Sequence, residues 1–140
     1  MHPSFIVRVC FVLAKDDTIL IGKRLDPDNL NTEGYWELLG GIKEENEQPL
    51  DALRRELKEE TDVELIKAQL FHAYSFQHKR MGEIVSLCYH CSYGGEPKLI
   101  NSHIREQHSE FRWVNIEEAK ELLFFTEHRE IIDILSKRFS

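Results

Sequence analysis

The stretch that most constrains this chain is residues 40–63, GGIKEENEQPLDALRRELKEETDV. A glycine pair leads through an acidic loop into a short helical pattern whose core is Arg55-Glu56-Leu57-Lys58-Glu59-Glu60. Pro49 suits a first helical turn, where a missing N–H costs nothing, so the helix is predicted to start near Asn46 or Glu47 and to end near Thr61-Asp62. Residues three and four apart share a helix face. Glu56, Glu59 and Glu60 therefore project together, within an arc of roughly 100° at about 100° of turn per residue. Leu50, Leu53 and Leu57 fall on a different face. One face is predicted to be buried. The other gathers carboxylates that repel each other unless a cation sits on them, and a divalent metal is the obvious candidate.

The rest of the chain is organised around this helix. Residues 5–14 are rich in Val, Ile and Phe, with one interruption at Arg8, and read as a buried strand. Lys15-Asp16-Asp17 is a turn, and residues 18–22 form the second arm of a hairpin, with Lys23 and Arg24 at its end. Residues 26–34 are a polar loop, and 35–39 a short apolar segment leading into Gly40-Gly41. After the helix, residues 64–76 and 83–93 read as long strands joined by the basic turn QHKRMG. Residues 103–109 read as a polar loop and 111–114 as a short strand. Residues 116–124 read as a helix with Glu117 and Glu118 in its first turn, as the helix dipole favours. Thr126 is positioned to cap a last helix to about Phe139, with Ile131, Ile132 and Leu135 facing inward. Strands, one central helix, more strands and two helices predict an α/β domain with a mixed sheet covered by helices.

The length of 140 residues suits one domain with a real core. A net charge of −7 opposes general nucleic-acid or membrane-surface binding, which calls for a basic patch. It leaves room for a phosphate substrate if metal ions supply the positive charge. The first residues are too short and too interrupted for a membrane span or signal peptide. Three cysteines, Cys10, Cys88 and Cys91, without an export signal suggest reduced thiols and a cytoplasmic setting.

At residues 41–63 the chain resembles the Nudix box, G-x5-E-x7-R-E-U-x-E-E-x-G-U, where U is a bulky aliphatic residue. Gly41, Glu47, Arg55, Glu56, Leu57, Glu59, Glu60 and Val63 match in register. Asp62 stands where the family has its second glycine. That position follows a helix, where a left-handed residue is common, and Asp tolerates it better than most. Asn46 stands where glycine is frequent and Leu39 where proline is, and neither change removes a carboxylate. The resemblance implies an α/β/α Nudix sandwich with a mixed sheet, a single domain over residues 1–140.

It also implies a MutT-like enzyme that hydrolyses a nucleoside diphosphate linked to another group. The first choice of substrate is a (deoxy)nucleoside triphosphate, cleaved to a monophosphate and pyrophosphate. Alternatives are a nucleotide sugar, a dinucleoside polyphosphate, or nucleotide sensing without turnover. The implied cofactor is Mg2+, with Mn2+ as substitute. Glu59 and Glu60 would be the main metal ligands, Glu56 a ligand or general base, and Glu47 a further ligand or a partner of Arg55. The Gly40 carbonyl could complete the coordination, and Arg55 would orient the glutamates. A downstream acid is expected in the loop before the final strand, with Glu106 as base or outer ligand, Glu110 as the rival and Glu83 behind them. Lys23, Arg24 and Phe76 are the substrate-binding candidates. The implied partner is a small nucleotide, with no nucleic acid or membrane, and a homodimer is left open.

Other features have plainer readings. Cys88 and Cys91 have the spacing of half a zinc knuckle, but strand alternation sends them to opposite faces, so buried reduced thiols are expected. His78, His103 and His108 read as surface histidines in loops, and Trp36, Phe76 and Trp113 as core or rim aromatics.

Overall fold

The computed structural model describes residues 4–25, 32–100 and 108–138. The first strand, β1 (Ile6–Lys15), forms a hairpin with β2 (Thr18–Arg24) through the turn at Asp16-Asp17. Asp16 takes a positive φ of 55°, which a short Asx side chain tolerates. The segment after residue 35 is not one strand but two, β3 (Trp36–Glu37) and β4 (Leu39–Ile42). Then come α1 (Pro49–Thr61), β5 (Glu64–His78), β6 (Gly82–Gly94), β7 (His108–Asn115), α2 (Ile116–Leu122) and α3 (Thr126–Arg138).

The strands make one mixed sheet in the order β3-β2-β1-β6-β5, with β4 also pairing β1 and β7 pairing β2. β1 and β6 run parallel, Cys10 opposite Cys88, and the other pairings are antiparallel. Alternation along β1 feeds two cores. Cys10 and Val12 join Ala119 of α2, Leu123 just after it, and Ile131, Ile132 and Leu135 of α3 on one face. Val9, Phe11 and Leu13 join Ala52, Leu53 and Leu57 of α1 on the other. The expected α/β/α arrangement is therefore observed. Cys88 and Cys91 lie in opposite cores, and all three cysteines are free and buried.

Several expected boundaries move, each for a local reason. Asn46 adopts φ 65°, which cannot continue a helix, so α1 starts at Pro49 with Gln48 extended before it. At its other end Asp62 is left-handed, φ 60°, and its N–H bonds the Lys58 carbonyl at 3.1 Å, as expected for a residue in a glycine position. β7 extends back to His108, so His108 and Ser109 are strand, not loop. A capping box between Asn115 and Glu118 starts α2, which stops at Leu122, two residues short of the expected end. Thr126 is the first residue of α3 rather than its cap.

The stripe that α1 buries is also different from the expected one. Leu50 is 46% exposed, and the buried residues are Ala52, Leu53, Glu56, Leu57, Glu60 and Thr61. The carboxylates do not share one solvent-facing side. Glu56 and Glu60, four apart, lie inside the buried stripe, and Glu59 lies outside it with its side chain 52% exposed.

Candidate functional site

Arg55 is the centre of the box. Its Nε donates to Glu47 Oε2 at 2.9 Å and its Nη2 to Glu47 Oε1 at 3.0 Å. Nη1 donates to Glu56 Oε1 at 2.8 Å and to Glu59 Oε2 at 3.2 Å, and Nη2 also reaches the Ile42 carbonyl at 3.1 Å. One planar guanidinium thus ties the loop after β4 to three carboxylates, which a lysine ammonium cannot do in this fork geometry. The bonds from Arg55, with one from the Glu44 N–H, hold the Glu47 carboxyl down to about 2. Glu47, and then Glu56, push the Arg55 guanidinium further up.

The glycine pair makes room for this arrangement. A Cβ on Gly41 would overlap the Glu56 carboxylate, and a Cβ on Gly40 would overlap the Val9 carbonyl and crowd Arg8. Only hydrogen at these two positions lets β4 lie so close to α1 on one side and to β1 on the other.

Glu60 is different from the rest. It is buried, and neither of its carboxylate oxygens has a hydrogen-bond partner among the described residues. Burial, and then the charge of Glu56, push its carboxyl well above the usual carboxylate range. A buried carboxylate without donors is costly. Hard oxygen ligands on adjacent turns of one helix fit a divalent cation of the magnesium type, and such a cation would answer both the burial and the repulsion. The third carboxylate, Glu59, is held by Arg55 instead. Accordingly, no three His, Cys, Asp or Glu side chains converge on one point among the described residues.

Beside the box lies a cavity of about 450 Å³. Arg8, Ile42 and Glu37 line it together with Arg24, Tyr74, Phe76, Phe125 and His128. Arg24 and Phe76, both expected at the substrate, are therefore brought together. Lys23 is not: it stands opposite Trp36 and Glu110 in the sheet and does not line the cavity.

Glu37 anchors one wall. Its Oε1 accepts from Arg24 Nη1 at 3.0 Å, and its Oε2 is 2.8 Å from His108 Nε2. Burial opposes charge on Glu37, yet the His108 bond and the nearby cations, Arg24 and Arg8 among them, hold it below the usual carboxylate range. His108 is thus a buried partner, not a surface histidine, and Gly22 leaves space for its ring. His128 is buried too. Its Nδ1 accepts from the Leu38 N–H at 3.1 Å, and burial, followed by the charge of Arg8, pushes it down to about 3.

Glu106 and His103 lie outside the described residues. Glu110 is half-exposed and paired with Arg112 at 3.3 Å, and Glu83 is exposed on β6. Arg8, Glu37, Tyr74, His108 and His128 were not expected at the site. Arg8 had left a signal, as the one charge inside the apolar run of β1. The two histidines had none, because their partners are 71 and 90 residues away in the chain.

Residues 4–135 match the family described as NUDIX domain. The chain is 31% identical over 126 residues to the RNA pyrophosphohydrolase of Bartonella bacilliformis, covering 76% of this chain and 74% of that protein. It is 30% identical to the CTP pyrophosphohydrolase of Escherichia coli, over 79% of this chain and 76% of that one. Two further RNA pyrophosphohydrolases, from Bartonella clarridgeiae and Bartonella henselae, match over only 43% and 34% of their length. The chain thus spans less than half the length of those two. In fold it is similar to a MutT NUDIX hydrolase from Burkholderia pseudomallei, with a TM-score of 0.78 at 22% identity, over 95% of this chain and 99% of that one.

Proposed function

The chain belongs to the NUDIX domain family, and on that premise we propose that it is a divalent-metal-dependent hydrolase of phosphoanhydride bonds in nucleotides. The observation that carries this reading is Glu60. It is a buried carboxylate without a hydrogen-bond donor among the described residues, one helical turn from buried Glu56. Glu56 is held by Arg55, Glu60 has no such partner among the described residues, and the pair becomes favourable when it holds a cation.

Glu56 and Glu60 would hold Mg2+, with Mn2+ as substitute, and Glu59 would join them on leaving Arg55. The Gly40 carbonyl and Glu47 stand nearby as secondary candidates, and the fork from Arg55 makes Glu47 chiefly a partner of that arginine. A bound cation would neutralise the diphosphate and lower the pKa of a water. Arg55 keeps the acidic residues in register while the substrate enters. Glu56 is the general-base candidate within the described residues, and Glu106 keeps its place as the alternative acid. Arg24 and Phe76 would receive substrate in the cavity. Water attacks phosphorus, the phosphoanhydride bond breaks, and a nucleoside triphosphate yields a monophosphate and pyrophosphate.

A free nucleotide in the cytoplasm is the substrate and setting we favour. The Escherichia coli relative is described as acting on CTP, and the net charge of −7 disfavours a polyanionic chain. The 5′ end of an RNA is the second reading, on the description of the Bartonella bacilliformis relative. The test is phosphate and pyrophosphate release with Mg2+ over nucleoside triphosphates, nucleotide sugars, dinucleoside polyphosphates and a 5′-triphosphorylated oligonucleotide. Turnover of a free nucleotide is expected. Turnover of none of them would reject the enzyme reading in favour of nucleotide sensing.

A further inference from the structure

We infer that Cys10 and Cys88 are an oxidation site, a dithiol that a peroxide closes to a disulfide between β1 and β6. The disulfide stands or falls apart from any hydrolase activity.

The sheet brings the two sulfurs together. β1 and β6 run parallel in a register that sets Cys10 directly opposite Cys88. Both side chains point into the core beneath α2 and α3. Neighbouring strands lie roughly 4.7–4.9 Å apart. That spacing falls inside the range of about 4.4–6.8 Å between the Cα atoms of bridged cysteines. Both cysteines are free, and their thiols hydrogen-bond each other.

Arg8 gives the pair its reactivity. It precedes Cys10 by two residues on the same face of β1, and its guanidinium bonds the Cys10 sulfur. The bond from Cys88, and then the charge of Arg8, pull the Cys10 thiol below its ordinary value against the cost of burial. Cys10, and then burial, push the Cys88 thiol up, so the shared proton stays on Cys88. The thiolate is the form that oxidants attack. Arg8 also lines the cavity beside the box. Hydrogen peroxide in that cavity therefore stands one side chain from the Cys10 sulfur.

Closure takes two steps. The Cys10 thiolate attacks one peroxide oxygen, the O–O bond breaks, and Cys10 becomes a sulfenic acid as hydroxide leaves. The Cys88 sulfur then attacks the Cys10 sulfur. An S–S bond forms, the S–O bond breaks, and the departing hydroxide takes the Cys88 proton. Two electrons pass from the sulfurs to the peroxide, which ends as two waters. Arg8 then faces a neutral disulfide in place of an anion, so oxidation removes one partner of a side chain in the cavity wall. Cys91 has no such route. It lies in the other core, opposite Leu13 of β1, and burial pushes its thiol up to about 12.

The experiment treats the reduced full chain with hydrogen peroxide, alkylates the remaining thiols after denaturation, and maps the products by mass spectrometry. Cleavage after Tyr89 separates Cys88 from Cys91. The expected product has lost two hydrogens, links Cys10 to Cys88, and is alkylated at Cys91 alone. Dithiothreitol should return all three cysteines to the alkylatable state. Cys88→Ser should form no disulfide and should leave a dimedone-reactive sulfenic acid at Cys10. Three alkylatable thiols after peroxide, or a link that includes Cys91, would overturn the inference. So would a Cys88→Ser protein whose Cys10 never reacts with dimedone. If Cys88→Ser fails to fold, the map of the parent decides by itself.

Discussion

Arg55 grips both carboxylate oxygens of Glu47, with Nε to Oε2 at 2.9 Å and Nη2 to Oε1 at 3.0 Å. The pair closes the loop after β4 onto α1 and leaves Nη1 to reach Glu56 and Glu59. Arg55→Lys keeps the charge and loses the fork. Since partners that orient metal ligands are typically worth 10- to 100-fold in affinity or activity, Arg55→Lys should lower turnover by about that factor and weaken Mg2+ binding. Metal titration beside steady-state kinetics checks both.

Glu60 sets function against stability. Its carboxylate is buried beside Glu56, without a donor among the described residues. Glu60→Gln should therefore raise the melting temperature of the metal-free protein, where about 1 kcal/mol appears as roughly 3 to 5 °C. Mg2+ should raise the melting temperature of the parent, because it binds only the folded state, and should raise that of Glu60→Gln less. Turnover should fall by orders of magnitude. Calorimetric melts with and without Mg2+ read the crossover.

Gly41 is a packing requirement of the box. A methyl group there overlaps the Glu56 carboxylate. Gly41→Ala should destabilise by about 1–3 kcal/mol, the usual result of overpacking, and should lower activity by moving Glu56. Urea denaturation checks the first part and kinetics the second.

His128 gives the fold a pH dependence. Its folded pKa is lowered to about 3, mainly by burial, against an ordinary value of 6.5. Between those values the unfolded chain binds a proton that the folded chain does not. Its share of stability is therefore intact above pH 6.5 and is lost as the pH falls towards 3, by up to about 1.4 kcal/mol per pH unit. His128→Gln cannot take up that proton and should flatten the profile between pH 6 and 4. Chemical denaturation across that range measures it.

The layers of the fold and the acidic box were legible in the sequence because they rest on local patterns. Strand alternation foretold that Cys88 and Cys91 face opposite sides of the sheet, and the spacing of Arg55, Glu56, Glu59 and Glu60 foretold the helix. Tertiary packing decided the rest. Leu50 is apolar yet exposed, while Glu56 and Glu60 are charged yet buried, because β4 with its two glycines approaches that side of α1. His108 read as a loop histidine because nothing near it in the chain names Glu37 as its partner. Arg8 was visible only as an interruption, and its place in the cavity is set by Tyr74 and Phe76 of β5, two strands away, and by the start of α3.

The central claim is that the carboxylates of α1 hold a cation for phosphoanhydride cleavage. Glu59 tests it most cleanly, since its side chain is half-exposed and carries little of the packing. The measurement is kcat at saturating Mg2+ on the best nucleotide of the panel, for the parent and for Glu59→Gln. A fall of orders of magnitude, with an unchanged circular dichroism spectrum and melting temperature, is the result predicted. A rate equal to the parent's would contradict the metal assignment.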